Sequence, residues 1–187
     1  MVRLLFIFQF FIFFNSAISA QIETISTKDT TRYSEKQVME EEKFIAATAF
    51  RLANETKEAI QLLQELIKNN KAEPTFYYEL ARTYYLDKQY DDALTNSSKS
   101  VSLDPANLYY AIFEAEILEK QGNAEMAASK YENIIAKHPR VEEYWLKMAK
   151  LYNAAAMPVK SIETFERMGN TFGFSEEILF RKFRAQS

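Results

Sequence analysis

Small and apolar residues return along this chain at a fixed interval of 34. Ala47, Ala81, Ala115 and Ala149 form one series, and Ala59, Ala93, Ala127 and Ser161 form another. Between them apolar residues follow the helical period rather than the two-residue alternation of a strand. The best-defined stretch is Pro74–Pro105, PTFYYELARTYYLDKQYDDALTNSSKSVSLDP, which reads as two short amphipathic helices joined by a turn at Asp87-Lys88-Gln89. A fixed interval of this kind signals stacked helical pairs, each touching only its neighbours. The predicted fold class is therefore all-α, a solenoid of about four helix-turn-helix units near 40–73, 74–107, 108–141 and 142–173, with a final helix over 175–186.

Local signals agree with these units. Ser34 followed by Gln37 is a capping-box pattern, so the first helix should start near residue 35, about two turns ahead of its later counterparts. Asn54 interrupts it. Pro74 and Pro158 open helices, where a missing N–H costs nothing. Asp91 and Asp92 favour the positive end of a helix dipole. Gly122-Asn123 supplies a turn, Pro105 and Pro139 close units, the second helix of the fourth unit should stop at Gly169, and Ser175 caps the last helix. Within the units, Phe50, Tyr84, Leu118 and Tyr152 should meet Leu63, Ser97, Tyr131 and Phe165, with the alanines where helices approach most closely. Ser97 and Ser100 leave the outer helix of the second unit underpacked.

Residues 1–20, MVRLLFIFQFFIFFNSAISA, break the pattern. A basic start at Arg3, an apolar run from Leu4 to Phe14 and a small-residue tail are the parts of a secretory signal peptide. Cleavage is expected between Ala20 and Gln21, with Ser19 as the alternative. The apolar run holds Gln9 and falls short of the ~20 residues of a membrane-spanning helix, which disfavours an uncleaved anchor. Residues 21–34 are polar and rich in Ser and Thr, and are expected to form a disordered tether to a repeat domain over 35–187. The expected location is periplasmic or secreted, with no membrane span after cleavage.

Composition narrows the chemistry. A net charge of −3 without a basic cluster gives no reason to expect nucleic acid. Cysteine is absent and His138 is the one histidine, so thiolate nucleophiles and Cys-type metal sites are excluded. Glu40-Glu41-Glu42 cannot share one helix face, because successive residues diverge by about 100°. No enzyme activity, metal or cofactor is expected.

The 34-residue pattern of aromatic, small residue, tyrosine, alanine, aromatic and proline resembles the tetratricopeptide repeat. It is carried by Tyr77, Leu80, Ala81, Tyr84, Ala93 and Pro105 in the second unit, and by Ala115, Leu118, Ala127, Tyr131 and Pro139 in the third. Trp145, Met148, Ala149, Tyr152 and Phe165 carry it in the fourth. The first unit departs most, with Lys43 where an aromatic is usual and Lys71 in place of proline. The resemblance implies a right-handed superhelix whose first helices line a concave groove for peptides. Carried over residue by residue, that groove holds Phe44, Thr48, Tyr78, Arg82, Tyr85, Tyr109, Ile112, Glu116, Lys147 and Lys150. Family members that clamp a terminal carboxylate do so with a Lys, Asn, Asn, Lys, Arg set; here those places hold Phe44, Thr48, Glu79, Tyr109 and Phe113, which disfavours that subtype.

The expected function is a non-enzymatic scaffold or adaptor of the cell envelope that binds a peptide or protein segment in the groove. The alternative is a structural piece docked through its end, or the front of a longer array. Ile178, Phe180 and Phe183 of the last helix would then form the docking surface, and self-association through that helix would be a further outcome.

Overall fold

The structure, a computed structural model, describes residues 34–184. The leader, its Ala20/Gln21 junction, residues 21–33 of the tether and the side chain of Phe183 lie outside the described residues. The chain divides into two units, Met1–Glu42 and Lys43–Ser187. In the first, Ser34 N–H donates to Gln37 Oε1 at 2.8 Å while Gln37 N–H donates to Ser34 Oγ at 3.2 Å. This reciprocal capping box starts the first helix at Glu35.

The described residues form nine helices and no strand: α1 (Glu35–Leu52), α2 (Thr56–Asn69), α3 (Pro74–Leu86), α4 (Tyr90–Leu103), α5 (Leu108–Lys120), α6 (Ala124–Lys137), α7 (Glu142–Ala154), α8 (Pro158–Phe172) and α9 (Glu176–Arg184). From α2 onward each helix packs on its neighbours in the chain, the nearest-neighbour arrangement of a superhelical solenoid.

One turn geometry joins the two helices of every unit. Asn54, Lys88, Gly122 and Ala156, each 34 residues from the next, have φ of 64°, 61°, 80° and 55°. In each case this residue's N–H donates to the carbonyl three residues back, and the next N–H donates to the carbonyl five back. Lys88 N–H to Tyr85 O at 3.1 Å and Gln89 N–H to Tyr84 O at 2.9 Å are one such pair. These bonds satisfy carbonyls left over at the helix end. Only Gly122 adopts the left-handed backbone without steric cost; the other three are held there by the bonds and by the packing of the helices they join.

The alanine series explains how closely those helices approach. Ala47, Ala81, Ala115 and Ala149, together with Ala59, Ala93, Ala127 and Ser161, are fully buried. Leu63, Ser97, Tyr131 and Phe165 are buried as well, with Leu118 and Tyr152, whereas Phe50 and Tyr84 are half-buried. Helix α4 is the weak layer. It buries only Ala93, Ser97 and Ser100, and the apolar core forms two clusters on either side of it. One gathers Leu63, Leu66, Phe76 and Leu80, and the other runs from Ala115 to Ile178.

Helix α8 continues three residues past the stop expected at Gly169. Gly169 is a packing glycine: the Phe174 ring lies 2.3 Å from where a Cβ would stand. Gly173, at φ 92°, ends the helix instead. The chain then enters α9, where Ile178 N–H donates to Ser175 Oγ at 3.2 Å.

Two stability changes follow. Ala156→Gly relieves a left-handed cost of ~1–2 kcal/mol against ~0.5–1 kcal/mol of added unfolded-state freedom. A net gain of roughly 0.5–1 kcal/mol is expected in urea unfolding, and a lowered midpoint would show that the turn carries no strain. Ser161 buries an Oγ with no hydrogen-bond partner, at a position where the other three units have alanine. Ser161→Ala should stabilise by about 1 kcal/mol, the cost of a buried unsatisfied hydroxyl; unchanged stability would mean that water reaches that oxygen.

Candidate functional site

The inner stripe repeats with the same interval. Tyr78, Arg82 and Tyr85 on α3 correspond to Ile112, Glu116 and Glu119 on α5, and to Leu146, Lys150 and Asn153 on α7. The α5 residues among them are half-buried, as are Tyr78, Arg82, Tyr85 and Leu146. A surface of this kind offers apolar area with polar tips.

At its centre is an aromatic cluster spanning two units. The Tyr78 ring lies 4.8 Å from Tyr110 and 5.4 Å from Phe113, edge-on to the latter. Tyr85 lies 5.5 Å from Phe113 and 5.5 Å from Tyr90. Tyr110 is buried, and its hydroxyl is 3.3 Å from Thr75 Oγ1, which fixes α5 on α3.

Charge is built in beside the rings. Glu79 is buried and accepts from Arg51 Nε at 2.7 Å and from Arg82 Nη1 at 2.8 Å. The Arg82 guanidinium thereby stands 5.6 Å from the centre of the Tyr78 ring, a cation–π arrangement. Removing Glu79 would leave two guanidinium groups facing each other, so this carboxylate ties α3 to Arg51 of α1.

Of the residues the sequence points to, Tyr78, Arg82, Tyr85, Ile112 and Glu116 fall on this stripe. Phe44 sits on α1 with its ring 5.4 Å from Phe76, and Thr48 lies one turn on, its Oγ1 buried without a partner. Lys147 and Lys150 are on α7, where Lys150 Nζ is 3.7 Å from Glu119. Tyr109 stands apart: it is 74% exposed in the first turn of α5, one residue from the inward-facing Tyr110. On the last helix Ile178 is buried in the core and Phe180 is 60% exposed.

Sequence reasoning did not single out Tyr110, Glu119 or Arg51 for this surface, and met Glu79 and Phe113 only as the places of an absent clamp. The interval of 34 was the available signal, since it aligns Glu119 with Tyr85 and Tyr110 with the core residue Phe76. His138 is an exposed cap at the end of α6. Among the described residues no group of three or more His, Cys, Asp or Glu is placed to hold a metal ion, and no helix is long and apolar enough to cross a membrane.

Burial raises the Tyr78 pKa above its ordinary value; Arg82 opposes the shift, while Glu79, Glu116 and Tyr110 add to it. The Tyr85 pKa is also raised, by burial first and then by Glu116, Tyr90 and Glu119. A hydroxyl whose folded pKa is raised contributes stability that is full below its unfolded value of about 10 and is lost as pH rises through the folded pKa. Absorbance titration should therefore show tyrosines ionising above pH ~10; the Tyr78→Phe, Tyr85→Phe protein should lose two of them, while Tyr131 and Tyr152, whose pKa values burial also raises, still ionise late. Glu116→Gln should bring part of that late titration earlier; no change would place Glu116 out of reach of both rings.

Comparison with known proteins bears on the repeat and on the fold. The tetratricopeptide repeat family model matches residues 43–71, the unit whose Lys43 and Lys71 depart most from the pattern but whose Ala47, Ala59, Leu63 and Leu66 are all buried. No curated protein matches by sequence. Among solved structures the chain is similar to MamA residues 41 to the end from Desulfovibrio magneticus, at 16% identity and a TM-score of 0.62, covering 79% of this chain and 85% of that one. It is also similar to YrrB, described as a TPR protein with an unusual peptide-binding site, at 12% identity and a TM-score of 0.59, covering 76% and 74%. A tetratricopeptide repeat protein from Parabacteroides merdae aligns at 15% identity and a TM-score of 0.65, covering 79% of this chain and 59% of that one. The all-α superhelical fold is the one these tetratricopeptide-repeat structures share, and residues 43–71 match the model of that repeat.

Proposed function

We propose that the protein is a non-enzymatic interaction scaffold of the cell envelope, which holds a peptide or extended protein segment along the inner faces of α3, α5 and α7. The observation that carries this reading is the cluster of Tyr78, Tyr85, Tyr110 and Phe113. Two of its tyrosines, Tyr78 and Tyr85, stay half-exposed in the middle of the array. Partly open aromatic groups that combine apolar area with a polar tip are what binding hot spots are made of. YrrB, with the same fold, is described by its peptide-binding site, which supports the reading by analogy of fold alone. Export rests on the leader at residues 1–20, whose parts are those of a cleaved signal peptide.

A second reading, docking through the end of the array, has its own support. Phe174, Leu179 and Phe180 expose half or more of their surface around α9, and a neighbouring set of large apolar residues at the surface favours a partner.

Photocrosslinking in the native envelope separates the two. Probes would replace Tyr78 in the groove, Phe180 on α9 and, as an outer-face control, the exposed Met126 on α6. A discrete partner captured from Tyr78 but not from Met126 is the expected result. Capture from Phe180 alone would replace the groove reading with end docking, and recovery of the chain only in the cytoplasm would remove the envelope assignment.

A further inference from the structure

The groove changes character toward its far end. A cleft of about 240 Å³ opens between α7 and α9, lined by Leu146, Lys150, Asn153, Phe165, Arg181 and Arg184. Three of these six residues are cationic and none is acidic, in a chain whose net charge is −3. The repeat register shows that the cleft continues the inner stripe. Leu146, Lys150 and Asn153 occupy the places of Tyr78, Arg82 and Tyr85, and Arg184 lies 34 residues beyond Lys150, so α9 acts as the first helix of a fifth unit. Along one line of that register the charge runs Arg82, Glu116, Lys150, Arg184. Arg82 is already committed to buried Glu79. The groove is therefore acidic at α5, where Glu116 and Glu119 face it, and basic at α7 and α9.

Two features limit what fits the cleft. Its volume falls below the ~300–1,000 Å³ of small-molecule and cofactor sites, which leaves room for a side chain or two. Its wall is mixed, with Leu146 and Phe165 supplying apolar surface next to the cationic groups. Two ion pairs at its rim are exposed: Lys150 with Glu119 at 3.7 Å, and Arg181 with Glu177 at 2.7 Å. Exposed pairs contribute about 0–1 kcal/mol each, so an incoming carboxylate displaces them at little cost.

We propose that this cleft anchors an acidic residue of the bound segment beside an apolar one, so that the groove reads an apolar-to-acidic peptide with its carboxylate at the α9 end. The inference rests on the groove reading and adds a chemistry and a direction to it. Glu116 repels the same carboxylate from the α5 stretch, which sets the direction. Charge complementarity of this kind selects partners and register more than it adds raw affinity.

The test uses isotope-labelled protein in the form its host accumulates, observed by amide chemical shifts. The probe is an acetylated, amidated Leu-Glu-Leu-Asp peptide, and its control is the isosteric Leu-Gln-Leu-Asn peptide; neither has a free terminal carboxylate. Shifts are expected around Lys150, Asn153 and Arg181 with the acidic probe, weakened by about tenfold or more on losing the charge contacts in the control and in the Lys150→Gln, Arg181→Gln protein. Those neutral substitutions sit on exposed side chains and leave the core intact. Equal binding of the neutral peptide, shifts elsewhere, absence of shifts, or unaltered binding by the double variant would each overturn the proposal. Capture of a partner from Tyr78 alongside any of those results would leave the groove reading standing and remove only its acidic anchor.

Discussion

Everything in this structure depends on how closely neighbouring helices approach at the alanine positions. Ala47, Ala81, Ala115 and Ala149 on the first helices, with Ala59, Ala93 and Ala127 on the second, are fully buried. A larger side chain there would force the backbones apart, at a cost of about 1–3 kcal/mol per site. The same approach also holds the turns. Lys88 and Ala156 take a left-handed backbone that their side chains disfavour, because the helices on either side are already fixed by packing. A short-range constraint, repeated at one interval, thereby sets the relation of each unit to the next.

The interior of the array is not uniform. Helix α4, YDDALTNSSKSVSL, has serines where α2 and α6 have Leu63 and Tyr131, or Leu66 and Ile134. Ser100 Oγ donates to Ser97 O at 2.7 Å, while Ser97 Oγ is buried with no partner. Fewer apolar atoms meet at this layer, and the core separates into two clusters around it. Dispersion and burial add over many contacts, so this layer gains less from apolar burial than the layers built on α2 and α6. Polar contacts offset part of the deficit: Glu114 on α5, buried, pairs with Lys130 Nζ at 2.6 Å and accepts from Ser98 Oγ.

The groove combines two kinds of surface. Tyr78, Tyr85 and Phe113 form an aromatic floor whose tilted and edge-on contacts leave ring surface open between α3 and α5. Buried Glu79 holds Arg51 and Arg82, so the cation next to Tyr78 is fixed in place. On α7 and α9 the lining turns basic, which gives the groove an electrostatic direction that a symmetric repeat would lack.

The sequence by itself determined the repeat, the helices and most of their ends. Pro74, Pro158, Ser34, Ser175 and the buried alanine series act through local sterics, local hydrogen bonds and a fixed interval, all of which are visible in one dimension. The resemblance to the tetratricopeptide repeat assigned Tyr78, Arg82, Tyr85, Ile112 and Glu116 to one stripe by their places in the repeat. Tertiary structure decided the rest. Tyr110 rather than Tyr109 turns inward, since Thr75 and Tyr78 of another helix receive it. Gly169 lies within a helix instead of ending it, because the Phe174 ring needs its missing Cβ. Glu79 joins Arg51 across 28 residues, and Arg181 and Arg184 reach a cleft begun by Lys150. These outcomes turn on which side chains meet between helices, a distance that periodicity along one helix does not encode.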